Sequence, residues 1–335
     1  MLKLFQSIFG GSEKHGDYPE SLIELAIERT VDGTDPRLRA LPGYRKRLRA
    51  PVIHAIDHAI ALVDSMSVPL PAASGDYGSD PRLMSMFASA KHMLEVFGKS
   101  KALRDYRESH ADIGERVTAL LVAERTEKNI LGIDLAGDMI RREVAQVTVN
   151  FHNHRLMDPA PSEAEARRLL KRRAFDHLLS LALLRITEAI GERADLNRQR
   201  DLLRSKLNAL KQGGWNFDDA DGAHPEPQAL QAALDQIEKQ LAELGADSDT
   251  LNRQMDIIAD LLSDAEKQFW PATVDLHLDS MNIQRPADDA SAQHIRFQEL
   301  HNTRGQQVVA LLVSLKYDEL PRQQKFSDMA ERYLR

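Results

Sequence analysis

The chain has 335 residues, of which 51 are acidic and 44 basic, so its net charge of -7 disfavours a surface built for nucleic acid. It contains no cysteine, which excludes disulfides, thiolate zinc sites and a cysteine nucleophile. No run of about 18 apolar residues is present, so the sequence predicts no transmembrane helix. We expect a cytoplasmic protein for which nucleic acid is not a partner.

The N-terminal segment combines apolar side chains with a basic cluster further along the chain. Leu4, Phe5 and Phe9 precede the flexible Gly10-Gly11 pair, and a later helical stretch carries the basic residues Arg45, Lys46, Arg47 and Arg49. One interpretation is a helix packed into the fold and a solvated face of ion pairs. The alternative is that both segments bind an anionic surface at the inner face of a membrane, as two weak signals.

Residues 1–115 form a predicted helical region. Apolar side chains recur at helical spacing over 20–27, 45–66 and 81–97, and Ser79-Asp80-Pro81 is typical of a helix start. We therefore expect one helix over 81–97.

Strand patterns begin near residue 117. Residues 117–123 and 129–135 are short β-branched segments, and 144–154 alternates between apolar and polar residues, which predicts a half-buried strand with His152 and His154 on one face. A later alternating segment, 273–283, carries Asp275, His277 and Asp279 in the same way. If these strands were neighbours, the five side chains could bind a metal ion and support a metal-dependent enzyme. The alternative is a solvated sheet face.

A heptad pattern dominates the later half of the chain. Its apolar positions alternate at intervals of three and four residues, interrupted only at Ser248: Leu230, Leu234, Ile237, Leu241, Leu244, Leu251, Met255, Ile258, Leu262, Ala265 and Phe269. An average spacing of 3.5 residues is typical of a helix that winds around a partner helix. Because a second long helical pattern precedes it, residues 162–270 are predicted to form an antiparallel coiled-coil hairpin, or arm.

The turn between the two predicted helices contains Trp215, Asn216 and Phe217. Aromatic side chains in a long polar loop are typical of binding hot spots, so we expect a partner-binding tip. The alternative is that these residues fold back onto the arm.

Together these patterns predict an α+β fold: N-terminal helices, a mostly antiparallel sheet of five to six strands, and the hairpin inserted between strand groups. The predicted domains are 1–115, a sheet body of 116–161 and 271–335, and the hairpin of 162–270. We expect a non-enzymatic interaction or adaptor protein whose arm binds a protein partner or a second copy, with no cofactor and no catalytic residue. The alternatives are a peripheral membrane protein and a metal-dependent enzyme.

Overall fold

The computed structural model describes residues 18–110, 114–136, 139–211, 227–244 and 249–321. Contacts divide the chain into two compact units. The sheet unit contains the described parts of 56–175 and 265–335, and the helical unit contains those of 16–55 and 176–264.

Nine α-helices occur in the described part of the chain. They are α1 (Glu20–Gly33), α2 (Tyr44–Asp64), α3 (Pro81–Met86), α4 (Ala90–Gly98), α5 (Lys101–Ser109), α6 (Glu163–Lys211), α7 (Pro227–Glu243), α8 (Thr250–Ser263) and α9 (Ala265–Gln268). Helices α2 and α6 have residues in both units.

Six strands form one sheet in the sheet unit. They are β1 (Leu70–Pro71), β2 (Arg116–Ala136), β3 (Met139–Ala160), β4 (Phe269–Leu278), β5 (Gln293–Asn302) and β6 (Gln307–Lys316). The order is β3-β2-β6-β5-β4 with antiparallel neighbours, and β1 pairs in parallel with β6. The predicted α+β class, with a mostly antiparallel sheet and a long helical hairpin between strand groups, is confirmed.

The central strand β6 explains where the core lies. Its sequence is a continuous apolar run from Val308 to Val313, and Val309–Val313 are all buried, as expected for a strand that is covered on both faces. On one face, which we call the inner face, Val309, Leu311, Val313 and Leu315 join the main apolar core with Leu121, Phe297 and the helix residues Phe87 and Phe97.

The single helix predicted over 81–97 is two helices, α3 and α4. Phe87 leaves α3 with an extended backbone, and the Ser89 side chain accepts a hydrogen bond from the backbone N–H of His92, so it caps α4. The break places Phe87 against Phe97, with ring centroids 5.5 Å apart. Packing of these two rings explains why the continuous apolar pattern does not form a continuous helix.

The strand predictions before the hairpin were too short. Strands β2 and β3 pair over most of their 21 and 22 residues, whereas β6 pairs with β2 only as far as Ala123. Beyond that residue β2 and β3 continue as a ribbon, which we define as residues 124–136 and 139–152. Val147 and Val149 of β3 are also hydrogen-bonded to Gln284 and Asn282. Across the ribbon, the side chain of Gln146 lies over Gly132 and donates to the carbonyl of Ile133 at 3.2 Å.

In the helical unit, α6 and α7 pack in antiparallel orientation. Leu207, Leu230 and Leu234 form a small buried cluster, against which Leu203 packs. The returning segment is divided, since α7 ends at Glu243 and α8 begins at Thr250; Gly245 lies outside the described residues. Phe269, the last predicted heptad position, is instead the first residue of β4, where it pairs with Asn302.

Candidate functional site

One face of α6 is anchored within the helical unit. The guanidinium of Arg29 in α1 forms an ion pair with Asp176, and a side chain at Gly33 would lie 3.2 Å from Leu179 Cδ1. The same side of α6 buries Leu179, Ala182 and Ile186 at 3% exposure or less. Close helix packing of this kind fixes the direction in which the exposed side chains of α6 point.

A second face of α6, about 90° around the helix from the buried residues Leu179, Ala182 and Ile186, is exposed and partly apolar. We call it the α6 stripe, and its members follow one another at intervals of three and four residues: Ser180, Leu183, Thr187, Ile190 and Ala194. Leu183 is 42% exposed and Ile190 is 46% exposed. Such spacing is the pattern by which one helix packs along another.

The polar members of the α6 stripe do not oppose its burial. The hydroxyl of Ser180 donates to the carbonyl of Asp176 at 2.9 Å, and that of Thr187 donates to the carbonyl of Leu183 at 2.8 Å. Since both hydroxyl protons are already hydrogen-bonded within α6, covering the stripe leaves no unsatisfied hydroxyl donor. Burying the stripe against a second helix therefore costs little free energy of desolvation for its hydroxyl groups.

Further along the hairpin, α6 and α7 are joined by polar contacts as well as by leucines. Arg204 forms an ion pair with Glu238 at 2.5 Å, and Arg193 donates to the carbonyl of Leu244. The predicted tip residues Trp215, Asn216 and Phe217 lie outside the described residues, so their role in partner binding stays a prediction.

The arginines of the predicted anion-binding cluster are all in ion pairs. Arg45 pairs with Glu28 at 2.9 Å, Arg47 pairs with Asp256, and Arg49 pairs with Glu20. Lys46 is exposed and has no ion pair among the described residues. Carboxylates therefore offset most of the positive charge that an anionic membrane would attract.

The carboxylate of Glu28 is the centre of this network. Burial acts to raise its pKa, but hydrogen bonds from Tyr44, Arg39 and Arg45 outweigh that effect and lower it. The ionised carboxylate therefore links α1 to the start of α2. The other half of the membrane hypothesis, Leu4, Phe5 and Phe9, lies outside the described residues, and binding to an anionic membrane stays a prediction. None of the helices in the described ranges is long and apolar enough to cross a bilayer.

The predicted histidine pair on β3 is separated by a bulge. Asn153 has a φ of 54°, and Ala123 in β2 has no one-to-one partner because its neighbours Val122 and Glu124 pair with Arg155 and His152. His152 Nε2 lies 3.4 Å from the Glu124 carboxylate. The expectation that both rings share one face is therefore wrong, because the extra residue turns His154 toward the core.

His154 packs on Phe87 with ring centroids 4.6 Å apart, and its Nε2 atom is buried without a hydrogen-bond partner. Burial lowers the pKa of His154, and the electrostatic interaction with nearby His92 acts in the same direction. The ring is therefore held neutral near pH 7.

The second predicted group lies on and beyond β4. Strand β4 is at the opposite end of the strand order from β3, but residues 282–284, just after Asp279, are hydrogen-bonded to β3 at Val147 and Val149. Asp275 accepts hydrogen bonds from Arg296 at 2.8 Å and from His294 at 2.7 Å, and the His277 ring lies 4.9 Å from that of His294. Contacts with the arginine and then with the histidine lower the pKa of Asp275.

Asp279 has a local structural role. Its Oδ1 accepts from the backbone N–H groups of Met281 and Ile283, and its Oδ2 accepts from Arg285. Within the described ranges no three His, Asp or Glu side chains are arranged to bind a metal ion. The metal-site hypothesis therefore gains no geometric support from these residues.

A buried charged cluster was missed by the sequence analysis. Glu299, 1% exposed, accepts from Arg125 Nε at 2.6 Å and from His301 Nε2 at 3.0 Å, and Trp270 stacks on His301. Both carboxylate oxygens of Glu299 are thus hydrogen-bonded. Through Arg125 and Glu299, the cluster joins β2 to β5 beyond the point where β6 stops pairing with β2. The signal was present, since Ile295, Phe297 and Glu299 follow one another at every second position of one strand.

Comparison with known proteins adds no assignment. No protein-family model, curated protein or solved structure matches the chain. Function must therefore be argued from these surfaces alone.

Proposed function

We propose that the hairpin of α6 and α7 is an antiparallel coiled coil and that this protein is an interaction protein that self-associates. In the proposed dimer, the α6 stripe of one copy packs against the α6 stripe of a second copy. The observation that carries the proposal is the exposure of Leu183 and Ile190, seven residues apart, on a helix that is anchored along an adjacent face. Exposed apolar side chains at this spacing are typical of helix–helix interfaces.

An antiparallel arrangement fits the apolar side chains of the stripe. A two-fold axis beside Thr187 sets Leu183 of one copy opposite Ile190 of the other, as in an isologous interface.

The interface is expected to be weak and reversible. Complete burial of a Leu or Ile side chain is worth about 1.5–3 kcal/mol, and these are already half-buried, so four of them supply about 3–6 kcal/mol. Part of that gain is lost to the entropy of association. Self-association should therefore depend steeply on protein concentration.

Sedimentation equilibrium over a hundredfold range of concentration tests the interface. We expect Ile190→Glu to lower the association constant at least tenfold, which corresponds to about 1.4 kcal/mol. Leu202→Glu is the matched control, because Leu202 lies on the same helix and is 56% exposed, but points about 120° away from Ile190. Equal effects of the two substitutions, or a wild-type protein that stays monomeric throughout, would contradict the proposal.

A further inference from the structure

A small cleft lies on the outer face of the sheet, opposite the main apolar core. It has a volume of about 120 Å³ and lies within the sheet unit, between the residues that follow α2 and the strands β4, β5 and β6. Six of its lining residues have polar side chains, Ser65, Ser67, Arg82, Thr273, Arg296 and Gln298, and the other six are apolar. Every polar one can donate a hydrogen bond, and none of the described lining residues carries a carboxylate.

Several of these donors are uncommitted. Arg82 gives its Nε and Nη2 to Asp80, which leaves Nη1, and Arg296 gives only its Nε to Asp275, which leaves both terminal nitrogens. The hydroxyls of Ser67 and Thr273 make no hydrogen bond to the described residues. The aspartates hold the two guanidinium groups in place without using all of their donors.

The wall formed by the end of α2 is fixed in position. Gln298 Nε2 donates to Ser65 Oγ at 3.1 Å, and Ser65 Oγ donates to the carbonyl of Leu62 at 2.7 Å. A helix C-terminus carries partial negative charge, which would repel an anion. Here Arg167 donates to the carbonyls of Val63 and Met66, so this negative end is offset by a guanidinium.

We infer that this cleft binds a small oxyanion, such as inorganic phosphate or a short carboxylate. The ligand must accept hydrogen bonds on several sides, because the lining supplies donors and two guanidinium groups. Pockets for drug-sized ligands and cofactors are about 300–1,000 Å³, so the volume excludes a nucleotide and fits an ion or a short acid.

Isothermal titration calorimetry on the full chain tests the inference. Inorganic phosphate is titrated in one arm and succinate in another, each against chloride at matched ionic strength. We expect saturable binding in at least one arm, and the ratio of the two dissociation constants identifies the preferred class of oxyanion. Absence of saturable binding in both arms would overturn the inference.

Two variants locate the site. Arg296→Gln changes a side chain that is 67% exposed, so it should leave folding intact and raise the dissociation constant at least tenfold. Thr273→Val removes one hydrogen-bond donor at nearly constant side-chain volume and should raise the dissociation constant by a smaller factor. Arg155→Gln is the matched control, since Arg155 is an exposed arginine of the same sheet outside the cleft. If Arg296→Gln and Arg155→Gln raised the dissociation constant equally, binding would reflect general attraction of an anion to positive charge and not a site at the cleft. That result would overturn the inference.

Discussion

Glu299 is a buried charged residue that breaks the apolar pattern on one face of its strand. Its neighbours on the inner face of β5 are Ile295 and Phe297, so its carboxylate occupies a position otherwise filled by the core. A buried charge persists only when it is paired, and here Arg125 and His301 provide the partners.

Removing this carboxylate should be costly. We expect Glu299→Leu to lower the free energy of unfolding by about 3–5 kcal/mol, because Arg125 would be left buried without its main partner. Urea unfolding monitored by circular dichroism measures the change. Glu127→Gln serves as the control: Glu127 also pairs with Arg125 but is 46% exposed, so its loss should cost less than about 1 kcal/mol. Similar costs for the two substitutions would contradict this assignment.

One residue-level prediction from sequence failed because the backbone conformation of a single residue changed the face of the strand on which a side chain lies. The alternation over 144–154 correctly predicted a strand, and it also predicted that His152 and His154 share a face. The bulge at Asn153 reverses the second part. Nothing in the local alternation signals it, because the extra residue depends on how β3 pairs with β2.

At the scale of elements, the ribbon depends on one close approach. A Cβ atom at Gly132 would lie 2.0 Å from Oε1 of Gln146, a side chain that is 7% exposed. The absence of a side chain at residue 132 is therefore what lets Gln146 cross the ribbon and reach the carbonyl of Ile133. The Gly132 contact lies beyond the stretch of β3 that bonds to residues 282–284, where a two-stranded ribbon has little other stabilisation in water.

Substitution of this glycine should loosen the ribbon. We expect Gly132→Ala to cost about 1–3 kcal/mol locally, since Gln146 must leave its place. Hydrogen exchange of the ribbon amides should become faster, while exchange in β5 and β6 stays unchanged. Adding Gln146→Ala removes the clash and should recover most of the lost protection. An unchanged exchange rate in Gly132→Ala would show that the contact does not stabilise the ribbon.

Helices and strands differ in how far the sequence predicts them. The heptad positions Leu230 and Leu234 correctly predicted an antiparallel partner helix, because a stripe that repeats over several turns depends on local spacing alone. The ribbon was predicted as separate short segments, because 124–129 is polar and its pairing partner lies about twenty residues away. Phe269 fits the heptad equally well, yet pairing with Asn302 places it in β4.

At the scale of the whole molecule, two half-buried histidines link stability to pH. Burial lowers the pKa of His154 in the sheet unit and of His177 in the helical unit. The unfolded chain therefore binds these protons more readily than the folded protein. Stability should be complete above the usual histidine pKa of 6.5 and should fall as the pH drops through that value toward the lowered pKa of the folded state.

Chemical unfolding at a series of pH values measures this effect. Each histidine should contribute a slope of up to about 1.4 kcal/mol per pH unit in this window. His154→Gln replaces the ring with a side chain that does not titrate and should flatten the profile, and adding His177→Gln should flatten it further. A wild-type stability that is constant from pH 7 to about pH 5 would contradict the prediction.

The fold class was predictable as a whole, since strand patterns on both sides of a long helical pattern leave few alternatives. The oxyanion cleft was not, because Arg82, Thr273 and Arg296 are far apart in sequence and meet only through the strand order. The domain limits predicted from composition stay predictions.

The order of strands along the chain has a consequence for synthesis on the ribosome. Strand β2 is made before the helical hairpin, but its antiparallel neighbour β6 is the last strand of the sheet. Until β6 emerges, Leu121 and the other inner-face residues of β2 lack that neighbour. Contacts that span so much sequence form slowly, and a nascent chain with an unpaired apolar strand is prone to aggregation. We therefore expect truncation before Gln307 to convert this protein into a chaperone-dependent, poorly soluble chain.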